Sequence, residues 1–328
     1  MILFVCISLL LQSITSENLD YNEDKIKFYL WNKTIIEQEI RLNDYGVMTK
    51  APIKFLIHGW QDSGTGRTFF FYGPFVQKYI LTGANVVCVD WSYYSKQLYG
   101  KAAKTLKLTG NLVARMILDM CNKKLLELSQ VHVIGHSMGA QTAGFVGKNI
   151  QKLTNGQKLH RITGLDPAGP MFHSQSEYDH LVKTDALLVD TVVTDLLQYG
   201  KKYPPLGQVN FYIYCGLNES TIVLNHNMAP FYFALGIDRN DLIGKECKCK
   251  SSKLQVDTCK EEPVNILGEN TNFRKPGNYY LNIDQKYALE DAQCSMENAP
   301  PSRFQPDFNI IKGIINAKYG IFRKCNLN

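Results

Sequence analysis

The chain has 328 residues, 45 % of them hydrophobic and 20 % charged, which is enough apolar material for one large core or two modest ones. Its 36 Lys and Arg against 30 Asp and Glu leave a formal charge of +6, a mild basic balance that suits an anionic lipid surface. No basic block interleaved with aromatics points to nucleic acid, and no fixed-period repeat points to a solenoid.

The first stretch, MILFVCISLLLQSITS (1–16), is apolar, uncharged and short for a membrane span. It reads as a secretory signal peptide that lacks the usual basic start, leaving 17–328 as one domain. No later segment is apolar and long enough for a transmembrane helix. Nine cysteines less Cys6 leave eight, a number that suits an oxidising, extracellular compartment. Sequons at Asn32 and Asn218 are then candidate glycan sites in surface loops.

Short β-branched runs follow: IKFLIHG (53–59), NVVCVDWS (85–92), VHVIGHS (131–137), RITGLD (161–166), LLVDTVV (187–193) and VNFYIY (209–214). They read as buried strands of a largely parallel sheet. Between the second and third, Leu112, Val113, Met116, Ile117, Met120 and Cys121 recur at helical spacing, so a helix packs on the sheet. The pattern predicts an α/β fold with ligands at the carboxyl ends of the strands. From about Gly236 the texture changes to loops, lysines and cysteines, and GKECKCKSSKLQVDTC (244–259) reads as a disulfide-stapled surface region of the same domain.

Gly135–His136–Ser137–Met138–Gly139 is a G-x-S-x-G stretch between a strand and a helix rich in small residues (Ala140, Ala143, Gly144, Gly147). In that setting it is a nucleophile elbow, in which a sharp turn pushes the serine hydroxyl clear of the sheet. The other reading of the same residues is a purely structural turn. A serine hydroxyl needs a base, and the base an orienting carboxylate, here in the chain order serine, acid, histidine. Asp166 ends the next strand, with Pro167 stopping further pairing. Of His160, His173, His180 and His226, only His226 follows the last strand and a loop, so the predicted triad is Ser137, Asp166 and His226. The remaining histidines are expected on the surface or in turns, with His58 at a strand end and His136 pointing away from the chemistry. The N–H groups of Met138 and Trp60 are the candidate oxyanion donors.

FLIHGW, VVCVDWS, VIGHSMGAQTAGFVG, ITGLDPAGP, LGQVNFY and KPGNYYL, in that order across 53–281, resemble the pancreatic-lipase family of secreted α/β hydrolases. The resemblance implies an α/β-hydrolase fold, lipid-ester hydrolysis through an acyl-enzyme, and triad roles for Ser137, Asp166 and His226. It places a lid just before His226, here only Gly216, Leu217, Asn218, Glu219, Ser220, Thr221 and a few more residues. A short lid and a short TDLLQYGKKYPPLGQ loop (194–208) are similar to the phospholipase A1 members, including those of wasp venoms. The implied reaction is sn-1 ester cleavage of a phospholipid at a membrane or lipid interface. The alternatives are a triacylglycerol lipase and a catalytically silent lipid-binding or yolk-type carrier. No colipase partner and no C-terminal β-sandwich are expected.

The chain departs from the family at Leu224, where a lid cysteine is usual, and in NHNMAPFYF, where an arginine is missing and Pro230 intrudes. Val193 to Asp195 reads VTD in place of HTD. Of a calcium loop found in some members, Glu177 and Asp185 fit but Val182 does not, so no structural calcium is expected and no cofactor. Cys249 and Cys259 resemble a family disulfide pair, and Cys294 and Cys325 are candidates to staple the tail. Cys88 reads as a buried small apolar residue. The Cys-x-Cys at Cys247 and Cys249 has no histidine nearby for zinc. Lys245, Lys248, Lys250 and Lys253 form a basic strip, either a lipid-docking surface or simply a solvated face.

Overall fold

The computed structural model describes residues 21–46, 48–63, 72–173, 176–196, 198–201, 205–213, 222–250 and 253–297. Its strands are β1 (Lys27–Trp31), β2 (Gln38–Ile40), β3 (Ile53–Ile57), β4 (Asn85–Asp90), β5 (Val131–His136), β6 (Arg161–Leu165) and β7 (Leu188–Val193). They continue with β8 (Val209–Ile213), β9 (Ile243–Lys245), β10 (Lys248–Lys250), β11 (Lys253–Gln255), β12 (Val264–Ile266) and β13 (Gly277–Leu281). The helices are α1 (Gly73–Leu81), α2 (Ser92–Ser95), α3 (Tyr99–Asn122), α4 (Met138–Leu153), α5 (Ile222–Leu235) and α6 (Gln285–Glu297).

Eleven strands form one sheet in the order β12-β9-β13-β8-β7-β6-β5-β3-β4-β1-β2. The run from β4 through β3, β5, β6, β7 and β8 to β13 is parallel throughout, and antiparallel strands are added at both edges. The six runs read as strands from the sequence are all present. The antiparallel strands β2, β9 and β12 are three residues each, too short for a periodicity to reveal them.

Period-two alternation builds two cores. Phe55, Ile57, Val87, Val89, Val131 and Val133 face α3 and α4, while Leu56, Val86, Cys88 and Ile134 face α1, α5 and α6. The predicted apolar stripe of α3 is buried at Leu112, Val113, Met116, Ile117 and Met120. At the amino ends of the parallel strands the core turns ionic. Arg161 donates to both oxygens of the buried Asp190 at 3.0 and 2.8 Å and to the carbonyls of Gly268 and Glu269 at 2.8 and 2.9 Å. Lys54 pairs with Glu269, and His132 Nε2 meets Thr163 Oγ1 at 2.8 Å. The buried charges therefore come paired and hydrogen-bonded, as burial requires.

Chain order reverses between β3 and β5: the chain runs from β3 outward to β4, then crosses by α3 to β5 on the other side. In a sheet of this kind the crevice at such a switch point is where ligands bind.

Two expectations need correction here. Cys259 pairs with Cys247, not with Cys249. In the β10–β11 hairpin Cys249 stands opposite Leu254, whereas Cys247 and Cys259 flank the base, with Cα atoms 4.0 Å apart. The Asn32 amide is buried, donating to Asn85 Oδ1 at 3.2 Å while its oxygen accepts from Thr34 and Ile35, so it is not placed to carry a glycan. Cys88 and Cys121 are free, with Cys88 buried as expected. Cys294 is disulfide-bonded, and Cys325 lies outside the described residues.

Candidate active site

Ser137 occupies the bend between β5 and α4 with φ 55° and ψ −119°, a conformation that costs energy for any residue with a Cβ. Its flanking glycines are demanded by packing. A Cβ on Gly135 would lie 2.1 Å from the carbonyl oxygen of Gly139, and one on Gly139 would lie 2.0 Å from that of Ile57. The strained residue is held on both sides: Ser137 N–H donates to Leu165 O at 2.9 Å, and its carbonyl accepts from Ala168 N–H at 3.2 Å.

Asp166 closes β6, fully buried and with φ 41°. Its Oδ1 accepts from the backbone N–H groups of Thr194 and Asp195 at 2.8 and 3.0 Å. Its Oδ2 accepts from His226 Nδ1–H at 2.5 Å. Burial pushes the Asp166 carboxyl up, and the hydrogen bonds from His226, Thr194 and Asp195 oppose that rise.

His226 lies in the second turn of α5. With Nδ1–H committed to Asp166, its Nε2 lone pair faces Ser137, whose hydroxyl donates to it at 2.9 Å. The ring sits against Tyr199 and His136, centroids 5.5 and 4.9 Å away. The structure thus joins all three residues predicted as the triad in one hydrogen-bonded chain. The remaining histidines are mostly not on the surface. His58, His132, His136 and His180 are buried and bonded within the fold; His132 and His136 lie in β5, a strand packed on both faces that leaves them no solvated side. His136 does point away from the serine hydroxyl, yet its Nε2–H donates to the backbone carbonyl of His226 at 3.1 Å.

Met138 opens α4, where the first backbone N–H groups have no partner within the helix. The turn carrying Trp60 follows β3, the neighbour of β5, and a Cβ on Gly59 would come within 3.0 Å of Ser137 Cβ. Trp60 is anchored by its indole N–H, which donates to Gln97 O at 2.8 Å, and by an edge-on contact with Tyr99 at 5.2 Å. The lid residues 216–221, with the second sequon at Asn218, lie outside the described residues, as do 202–204 of the second loop.

Asp166, Asp195 and His226 come within 4.8 Å of one another through potential metal-ligand atoms. Both ring nitrogens of His226 are committed to Asp166 and Ser137, and Asp195 accepts from the N–H groups of Gln198 and Tyr199 at 3.3 and 3.0 Å. That geometry suits a proton relay, not a metal. The partial calcium loop does not fit a divalent ion either. Lys148, a residue the sequence reading passed over, places its ammonium against both Asp185 oxygens at 2.7 and 2.6 Å and against His180 O at 2.8 Å.

A parallel sheet of this order, with a Ser–His–Asp chain at its switch point, defines an α/β hydrolase. The chain belongs to the Lipase family, whose sequence model matches residues 10–220. It is similar to phospholipase A1 3 of Polistes dominula, 29 % identical over 291 residues that span 81 % of this chain and 90 % of that protein. It is also 33 % identical to lipase member H-A of Xenopus laevis, over 59 % of this chain and 43 % of that protein. With pancreatic lipase-related protein 2 of Cavia porcellus it shares 33 % identity, over 53 % of this chain and 38 % of that protein. The protein is therefore a carboxylic ester hydrolase acting on lipid esters.

Proposed function

We propose that the protein is a secreted phospholipase A1 with a single catalytic domain, releasing the sn-1 fatty acid of phospholipids. Ser137 Oγ attacks the ester carbonyl as His226 Nε2 takes its proton, and Asp166 holds the imidazole and stabilises the imidazolium that forms. The N–H groups of Met138 and Trp60 receive the oxyanion, a contribution of about 3–4 kcal/mol per donor in such sites. His226 returns the proton to the leaving glycerol oxygen. Water, deprotonated by His226, then attacks the acyl-enzyme and the acid departs.

The observation that carries ester hydrolysis is the continuous Ser137–His226–Asp166 chain, with each hydrogen bond at 2.9 Å or less. For phospholipid as substrate, the support is similarity to a phospholipase A1 along 90 % of its length, together with the short segment available for a lid. The apolar leader 1–16 and the Cys247–Cys259 bridge support secretion. Among the described residues no helix is long and apolar enough to cross a membrane.

The test is incubation with phosphatidylcholine labelled separately on its two acyl chains, with Ser137→Ala alongside. Release of the sn-1 label alone, lost in the variant, is the expected result. Cleavage of triacylglycerol but not phospholipid would replace the substrate assignment. Failure of a fluorophosphonate to label Ser137 would remove the enzymatic reading in favour of a silent carrier.

A further inference from the structure

Helix α5 carries a proline at position 230, four residues after His226. In a regular helix the amide of residue 230 would donate to the carbonyl of residue 226. Proline has no such hydrogen, and its ring crowds that same carbonyl, so the His226 C=O is left without its helical donor. A buried carbonyl in that state costs free energy unless another donor reaches it. His136 Nε2–H reaches it, at 3.1 Å, from the last residue of β5.

We infer that His136 is a positioning residue for His226, its Nε2–H standing in for the amide hydrogen that Pro230 lacks and so fixing the backbone from which the triad imidazole projects. The two residues are complementary features of one hydrogen bond: one vacates the acceptor, the other fills it. The arrangement also ties α5 directly to the nucleophile, because His136 is bonded in sequence to Ser137. The hydroxyl and the base that must take its proton are thereby registered through one peptide link and one hydrogen bond. Burial holds the His136 imidazole neutral, with its pKa pushed down to about 3, so a single N–H serves a single acceptor. The inference rests on His226 being the general base.

The experiment is a double-mutant cycle between positions 136 and 230, read in kcat and KM on a soluble ester and in thermal stability. His136→Leu is expected to lower kcat about 10- to 100-fold with little change in KM, as a small misplacement of a catalytic group does. His136→Gln, which keeps a donor, retains most of the activity. In a Pro230→Ala background, where the backbone amide is restored, His136→Leu costs only about 3-fold or less. Equal losses in both backgrounds would overturn the inference. Nitrogen-15 spectroscopy of the unaltered protein supplies a check that needs no variant. Near neutral pH the His136 ring carries its proton on Nε2, and a ring protonated on Nδ1 instead would exclude the bond. If the protein hydrolysed no ester, the proposed function would fail. The stability half of the cycle would still decide the pairing, non-additive for a shared hydrogen bond and additive without one.

Discussion

The Lys148 ammonium grips both carboxylate oxygens of Asp185, at 2.7 and 2.6 Å, and fastens the loop before β7 onto α4. Glycines on α4 make the approach possible: a Cβ on Gly147 would lie 2.2 Å from Asp185 O and one on Gly144 2.7 Å from Leu181 Cα. The same loop reaches the active site through Gln141. Its Oε1 accepts from Leu181 N–H at 2.8 Å, and its Nε2 donates at 2.7 Å to Ala168 O, next to the N–H that holds Ser137 O.

Replacing Lys148 with methionine leaves Asp185 buried with its counter-charge gone, a loss of about 3–5 kcal/mol for a buried pair broken from one side. Burial already pushes the Asp185 carboxyl up to about 6 against the pull of Lys148. Without the lysine it rises further, so protonation relieves the variant at acid pH. Melting curves of Lys148→Met against the unaltered protein are expected to diverge widely at pH 8 and to converge toward pH 5. Adding a chelator leaves the melting temperature of the unaltered protein unchanged, since the loop is closed by its own ammonium. A melting temperature that fell with chelator would contradict this.

The G-x-S-x-G glycines admit no side chain. With a Cβ on Gly139 placed 2.0 Å from Ile57 O, Gly139→Ala must push α4 off β3 and with it the Met138 N–H. Overpacking of this kind costs about 1–3 kcal/mol or more. We expect kcat to fall at least as steeply as stability, with fluorophosphonate labelling of Ser137 slowed in proportion. A variant that labels at the original rate would show that the turn tolerates the methyl.

His136 supplies a pH test whose sign is fixed by its depressed pKa. The folded state keeps this ring neutral down to about pH 3, with desolvation the main cause and the neighbouring His226 and His58 opposing its charge. The unfolded chain takes up the proton near 6.5. The folded form thus binds fewer protons below that point, and the contribution to stability, complete above pH 6.5, is lost as pH falls toward 3. His132 acts in the same direction, whereas Asp185, with its raised pKa, acts in the opposite one. His136→Gln removes one titration only. Its melting temperature relative to the unaltered protein is expected to rise as pH is lowered from 7 to 4. A constant offset over that range would refute the assignment.

The parallel strands β3 to β8 were legible as short apolar runs buried on both faces, and the elbow was legible because steric demands at Gly135 and Gly139 leave a fixed signature. Asp166 and His226 followed from chain order together with their places after predicted strands. What the sequence concealed lies in long-range pairing. Nothing local to Lys148 announces Asp185, 37 residues away, and nothing local to His136 announces the His226 carbonyl 90 residues on. The disulfide was misassigned for a related reason. Which of two cysteines, Cys247 or Cys249, reaches Cys259 depends on where a three-residue strand begins, and spacing does not settle that.

The mouth of the site offers a final test of the lipid reading. Leu98 is 75 % exposed and Met171 54 %; they are the chain neighbours of Tyr99 and Pro170, and Tyr99 packs against Trp60 and donates its hydroxyl hydrogen to Pro170 O at 3.0 Å. Lys96, Lys101 and Lys104, close to Leu98 in the chain, are exposed. Exposed apolar side chains on the segments that meet Trp60, with exposed lysines close in the chain, match the outer leaflet of a lipid aggregate carrying phosphate groups. Inserting one such side chain contributes about 1.5–3 kcal/mol, so Leu98→Asp and Met171→Asp should each lower hydrolysis of vesicle phospholipid by about tenfold or more. Hydrolysis of a dissolved butyrate ester needs no surface and should be little changed. Rates measured on both substrates for the same preparations separate the cases: a parallel fall would mean damage to the crevice itself, and loss on vesicles alone would mean loss of docking.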